Sequence, residues 1–375
     1  MGKKSVQDVP RYFEPYVSDC FNNAYGSLLT RMGYDPRLVL ADYLSFMYEQ
    51  ETGFIGTNFL FHFANSVEFS EEQLNTSFEF IYLPATQYYR EGRELPPVHD
   101  RIQISMNIHD DGEAADKRLR ELLDENKPVI VFVDLYDMPY HPACGKEHGL
   151  HAIVITGYDD EQGVYEVFDR YELSSGTNFL GTIPKEDIRR SRQALTPCSN
   201  PIAGSYNRPV RNLWIEMDEF RPVQLTRERL LDVVNRSCRR MEGGEVILGQ
   251  ICGLERIDAF RQGLLRRKEG AVDERFVYFF RSYLNQNLKV IARSRRRFKV
   301  YLETIRELLP EAATNAACEA LEESAKRWDI CANVCLKLGI TKSLKLIDDL
   351  DKHLQAIMDL EKRAIQSIGA GSLAI

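Results

Sequence analysis

The sequence predicts an α+β fold in two parts: a mixed helix–strand region over residues ~1–220, then an all-helical domain over 221–375. Three observations support this. The first ~210 residues mix turn signals, aromatic residues and short apolar runs of β type. From about Thr226, apolar residues recur at helical spacing almost to the end. Between the two, "TPCSNPIAGSYNRPV" (196–210) concentrates Pro, Gly, Ser and Asn, which interrupt regular structure.

The elements follow in order. "DCFNNAYGSLLTRMG" (19–33) sets Phe21, Ala24, Tyr25, Leu28 and Met32 on one helical face, and Gly33 can end that helix. Asp19 is a good N-cap type, so Cys20 is expected as the first helical residue. "DKRLRELLDENK" (116–127) reads as an amphipathic helix and "PVIVFVDLY" (128–136) as a buried strand. "HAIVITGYD" (151–159) and "GVYEVFDR" (163–170) are two strands joined by the turn "DDEQG". "RNLWIEMDEF" (211–220) is one more strand. In the second part, "TRERLLDVVNRSCRRM" (226–241) and the long run 273–309 keep helical period. In the last helix Ile347, Leu350, Leu354, Ile357, Met358, Ala364 and Ile368 form one stripe.

Bulk properties narrow the function classes. A chain of 375 residues is long enough for two domains, and 44% hydrophobic with 28% charged residues is a globular composition. A net charge of -8 gives no global reason to expect nucleic acid. No apolar run approaches the ~18 residues of a membrane span. The N-terminus "MGKKSVQDVP" lacks a signal-peptide core, and Val6 breaks the myristoylation pattern. Eight cysteines are too sparse for a disulfide scaffold, so a cytoplasmic protein with reduced thiols is expected. No phosphate loop, dinucleotide fingerprint, nucleophile elbow or zinc motif occurs, and no metal or organic cofactor is expected.

The residues do contain the parts of a cysteine nucleophile. A thiol at a helix N-terminus sits at the positive end of the helix dipole, which favours thiolate. A histidine opening a strand can serve as its base, and a carboxylate on the next strand can orient that imidazole. Cys20, His151 and Asp169 supply one of each. The hairpin sets the start of one strand opposite the end of its partner, which brings His151 and Asp169 together. His148, in the loop "CGKEHGL", is the other histidine at hand, and His151 is the better placed. A buried thiol beside a merely hydrogen-bonded histidine is the competing reading.

At these residues a resemblance appears. "SDCFNNAYGSLLTRMGYD" resembles the cysteine segment of papain-like peptidases of the bacteriocin-leader type. "KPVIVFVDLYDMPYHPACGKEHGLHAIVITGYDDEQGVYEVFDRYE" resembles, more specifically, the histidine-to-aspartate segment of the butirosin-biosynthesis protein H family. The likeness covers roughly 10–220 and is strongest at 127–172. It implies a papain-like catalytic domain over 1–220 with Cys20, His151 and Asp169 as its triad. It further implies acyl transfer from a carrier-protein thioester to a small-molecule amine, as in antibiotic biosynthesis, with an acyl-enzyme on Cys20. Any 4'-phosphopantetheine belongs to the donor. Papain-like peptidases place a Gln about six residues before the cysteine as oxyanion donor. Position 14 here is Glu, and an ionised Glu cannot donate. The oxyanion hole then needs the Cys20 N–H and another donor, with Ser18, Asn22 and Asn23 as candidates. On the same triad a thioesterase or peptidase-type hydrolase, or a thioester cyclase, is the alternative. A catalytically silent carrier-binding module is the second.

Tyr140 and His141 lie on the loop entering the histidine strand and are candidates to line the acyl channel or meet the acceptor; His148 is a lesser candidate for substrate contact. Cys144 lacks further ligands at metal spacing. Cys331 and Cys335, at i and i+4, read as core, and His353 as structural. "KVIARSRRRFK" (289–299) holds six basic residues and no acid. Arg293, Arg295, Arg296 and Arg297 are therefore candidates for docking an acidic acyl or peptidyl carrier protein, the alternative being a solvated helix face.

Overall fold

A computed structural model describes residues 2–13, 20–39, 44–51, 53, 55–57, 77–79, 101–170, 178–196, 198–200, 206–221, 224–244, 246–247 and 250–372. It is a mixed helix and sheet protein with an antiparallel sheet and a helical C-terminal region. In chain order the elements used below are β1 (Lys3–Ser5), α1 (Cys20–Arg31), β2 (Met47–Tyr48), β3 (Ile55–Gly56), β4 (Ser77–Glu79), β5 (Arg101–Asn107), α2 (Gly112–Asp124), β6 (Val129–Asp134), β7 (Leu150–Asp159), β8 (Val164–Arg170), β9 (Asn178–Pro184), α3 (Lys185–Arg192) and β10 (Trp214–Arg221). The helical part adds α4 (Arg227–Met241), α5 (Leu254–Arg266), α6 (Asn285–Thr304), α7 (Glu311–Thr341) and α8 (Leu346–Ser372).

The main sheet runs β4-β5-β10-β6-β7-β8-β9, every pair antiparallel. β7 is its axis. Its first half, 150–155, pairs with β6, and its last residues pair with β1 along the same edge. β8 takes the other edge. Side chains alternate along a strand, so each face builds its own core. Ile130, Phe132, Ala152, Val154 and Phe168 pack with Ala24, Tyr25, Leu28 and Leu29 of α1. Val131, Val133, Ile153, Ile155 and Val167 pack with Leu119, Leu122 and Leu123 of α2 and with Ile188 of α3. All six residues of β6 are buried, as its unbroken apolar run requires when both faces are covered.

The helical core is built on α7, α8 and α6. The stripe on α8 is buried as its spacing predicts, with Met358 partly so. Cys331 and Cys335 are fully buried in this core. The core also takes in residues from far upstream: Leu44, Phe46, Tyr48 and Ile55 pack among these helices. Phe46 stacks on Trp328 with ring centroids 5.4 Å apart. The helix of 254–266 comes so close to this segment that a Cβ at Gly263 would lie 2.2 Å from the Tyr48 hydroxyl.

At its centre lies an ion pair that corrects the reading of the basic run. Arg295 is 0% exposed. It clamps Glu361 through two hydrogen bonds of 2.7 and 2.8 Å and donates a third, 2.8 Å, to the carbonyl of Ser45. Ser324 and Trp328 also donate to Glu361. Arg297 is 2% exposed. Neither residue can steer an approaching carrier protein, because water and partner do not reach them. Arg296 is half-buried and bound to Asp329 at 2.5 Å, and Arg293 is half-buried too. Of the run, Arg295 and Arg297 point inward, with Glu361 compensating Arg295, whereas Lys289, Arg293, Arg296 and Lys299 are half-buried.

Candidate active site

Helix α1 begins at Cys20, as the sequence predicts. Its buried face lies on the sheet and leaves the thiol half-buried at the N-terminal end. Asn22 and Asn23 follow in the first turn and are buried. Ser18, with Asp19 and Glu14, lies outside the described residues.

His151 opens β7 and Asp169 closes β8. The imidazole Nε2 lies 2.7 Å from Asp169 Oδ2, and both side chains are largely buried. The hairpin alone does not produce this. Val164 pairs with Asp159 and Glu166 with Gly157, but beyond Thr156 the register shifts, so that Val167 pairs with Ile155. The extra residue is a β-bulge. Continuing the register from Val154↔Phe168 sets Asp169 opposite Ile153, on the same face as His151 and diagonal to it. Without the bulge Asp169 would face Val154 and point to the other side of the sheet.

Cys20 is near enough to the His151 imidazole for its sulfur to act on the ring's charge. Burial disfavours a charged His151, but the carboxylate of Asp169 and the sulfur of Cys20 outweigh it. The balance lifts its pKa well above the ordinary histidine value.

The loop between β6 and β7 brings two more side chains. Tyr140 donates its hydroxyl to Asp169 Oδ2 at 2.6 Å, the same oxygen that meets His151. Its ring stacks on Phe179 at 4.0 Å, and Phe179 stands opposite Asp169 on β9. Burial, then the neighbouring Asp169, raises the Tyr140 pKa well above its usual value, so the phenol keeps its proton. His141 is half-buried, with its ring 5.9 Å from that of His151. Its Nδ1 accepts from the Ala143 N–H at 3.1 Å. Burial, then the positive His151, lowers its pKa to about 4.

His148 belongs to a different arrangement. Its Nδ1 lies 2.6 Å from Oδ2 of Asp134, which is 0% exposed. The other oxygen of Asp134 accepts from the backbone N–H groups of Tyr136 and Gly149. The Tyr136 ring stacks on His148 at 4.4 Å. Asp134 and His148 thus tie both ends of the loop at the edge of the β6–β7 pair. Among the described residues no group of His, Cys, Asp and Glu is arranged to hold a metal ion. No described helix is long and apolar enough to cross a membrane.

The gathered set is Cys20, Tyr140, His141, His151 and Asp169. Asp134 and Phe179 were not singled out in sequence. The alternation in "NFLGTIP" is the signal for β9, but its register on β8 is not readable from it. Residues 19–170, less than half of the chain, match the family described as butirosin biosynthesis protein H, N-terminal. No curated protein matches the chain.

Proposed function

From the premise that residues 19–170 belong to the butirosin biosynthesis protein H N-terminal family, which implies a biosynthetic acyltransferase-like role, we propose that this chain moves an acyl group from a carrier-protein thioester to an amine through an acyl-enzyme on Cys20. The observation that carries this reading is the position of His151, hydrogen-bonded to Asp169 and near enough to Cys20 for the sulfur to act on the imidazole's charge. A papain-like catalytic domain over 1–220 followed by a helical domain is the architecture that goes with it.

The chemistry follows from those contacts. A Cys20–His151 pair with the proton on the imidazole presents a thiolate. The sulfur attacks the thioester carbonyl, and the tetrahedral oxyanion is met by the Cys20 N–H and a second donor. Collapse breaks the donor's C–S bond, and the leaving thiolate takes the proton from His151. An amine then attacks the acyl-cysteine and gives its proton to His151, and the C–S bond breaks to return the Cys20 thiolate. Asp169 keeps the imidazole in the tautomer whose Nδ1 faces sulfur. Donor selection and a phosphopantetheine-bearing carrier are part of the proposal, and the buried Arg295 and Arg297 do not belong to its docking surface.

Intact-mass measurement after mixing with acyl-carrier or acyl-thioester donors tests the reading. An acyl adduct on the wild type, absent from Cys20→Ala, supports it. No adduct and no turnover across a broad donor panel refutes it. With amines present, amide product marks a transferase, whereas free acid marks a hydrolase on the same residues.

A further inference from the structure

The Tyr140 hydroxyl has no part in the reaction as written, yet it occupies the carboxylate oxygen on which His151 depends. We propose that Tyr140 is a positioning residue: its hydroxyl shares Asp169 Oδ2 with the His151 Nε2–H, and so fixes both the place of the carboxylate and the strength of its hold on the imidazole. This rests on the reading of His151 as the base.

Two contacts make the arrangement specific. The hydroxyl reaches Oδ2 at 2.6 Å and the imidazole reaches the same atom at 2.7 Å. Stacking on Phe179 at 4.0 Å fixes the Tyr140 ring, and Phe179 is held opposite Asp169 by the β8–β9 ladder. A phenol that keeps its proton donates it to the carboxylate, so it competes with the imidazole for the electron density of one oxygen. An oxygen with two donors holds each less tightly than an oxygen with one. The groups facing His151 are Asp169 from β8, Cys20 from α1, and Tyr140 and His141 from the loop before β7. Of these, Tyr140 is hydrogen-bonded to the carboxylate rather than to the imidazole.

The test is an NMR pH titration of protein labelled at histidine ring carbons, with His151 assigned by the signal lost in His151→Gln. Tyr140→Phe keeps the stacked ring and removes the second donor. The His151 midpoint is expected to rise by about 1 pH unit, the size of one hydrogen bond to a charged group. In an Asp169→Asn background the same substitution is expected to leave the midpoint in place, because its effect passes through the carboxylate. An unchanged or lowered midpoint in Tyr140→Phe overturns the proposal. So does a rise that persists in Asp169→Asn, since it would mean that Tyr140 acts on His151 by another route. The catalytic reading has its own control: Cys20→Ala lowers the His151 midpoint if the thiol and imidazole are coupled. Failure of that control leaves the Tyr140 result standing.

Discussion

At the scale of single residues the two site histidines are driven in opposite directions. His151 gains protons relative to an unfolded histidine because an acid and a sulfur face it, whereas His141 loses them to burial and to its charged neighbour. The signs follow by linkage. The His151 contribution to stability is present below its unfolded pKa and is lost as pH rises through its raised folded value. The His141 contribution runs the other way: folding opposes its protonation, so it costs stability as pH falls from about 6.5 toward its folded value of about 4. Chemical denaturation of His141→Gln from pH 7 to pH 4 is expected to lose less stability over that interval than the wild type. Chemistry-bearing residues are the part most legible in sequence. Cys20 announces itself at the start of an apolar helical pattern, and His151 and Asp169 by their places at strand ends. Tyr140 is visible there only as a loop aromatic, since its partnership with Asp169 requires a fold of the loop that no local pattern encodes. His148 shows the converse. It stands three residues from His151 and serves Asp134 instead.

At the scale of elements, the unpaired Thr156 lets the β7–β8 register place Asp169 on the face of His151. Thr156 is the residue by which β7 exceeds β8, and it sets the face on which Asp169 emerges. A flat ladder that paired Thr156 with Val167 would set Asp169 opposite Val154 and turn it to the other face. Deletion of Thr156 leaves Ile155 opposite Val167 and is expected to keep the His151–Asp169 bond and Cys20 acylation, as is Thr156→Val; loss of the bond in the deletion would show that the bulge does more than set the register. The histidine titration and the intact-mass adduct read both outcomes. A hairpin can be found from its apolar alternation and turn. A bulge leaves too small a trace in sequence, because Thr156 itself fits either arrangement. The same limit applies to the basic run of 289–299. Helical periodicity places Arg295 on a helix, but only the carboxylate of Glu361 makes its inward rotamer affordable.

At the scale of the whole molecule, the helical region is held to the N-terminal half by the segment 44–57. Phe46 inserts beside Trp328 and Phe260, and Arg295 reaches the Ser45 carbonyl. Breaking one partner of a buried ion pair strands the other without water. Glu361→Gln is expected to cost about 3–5 kcal/mol, read from the midpoint of urea unfolding. Replacing both, Arg295→Met with Glu361→Leu, is expected to recover much of that loss. The helical C-terminal region is plain in sequence because the hydrophobic period changes near Thr226. The crossing of 44–57 into the helical core is not, because two strands of two residues each carry no period to detect. The Arg295 bond to Ser45 spans 250 positions, and Glu361 comes later still. During synthesis on a ribosome the segment that holds Phe46 emerges early and then has to wait. The rings of Phe46 and Tyr48 meet Phe260 and Trp328 only once α5 and α7 have left the exit tunnel, so the nascent chain carries them unpacked after the strands of its sheet have emerged.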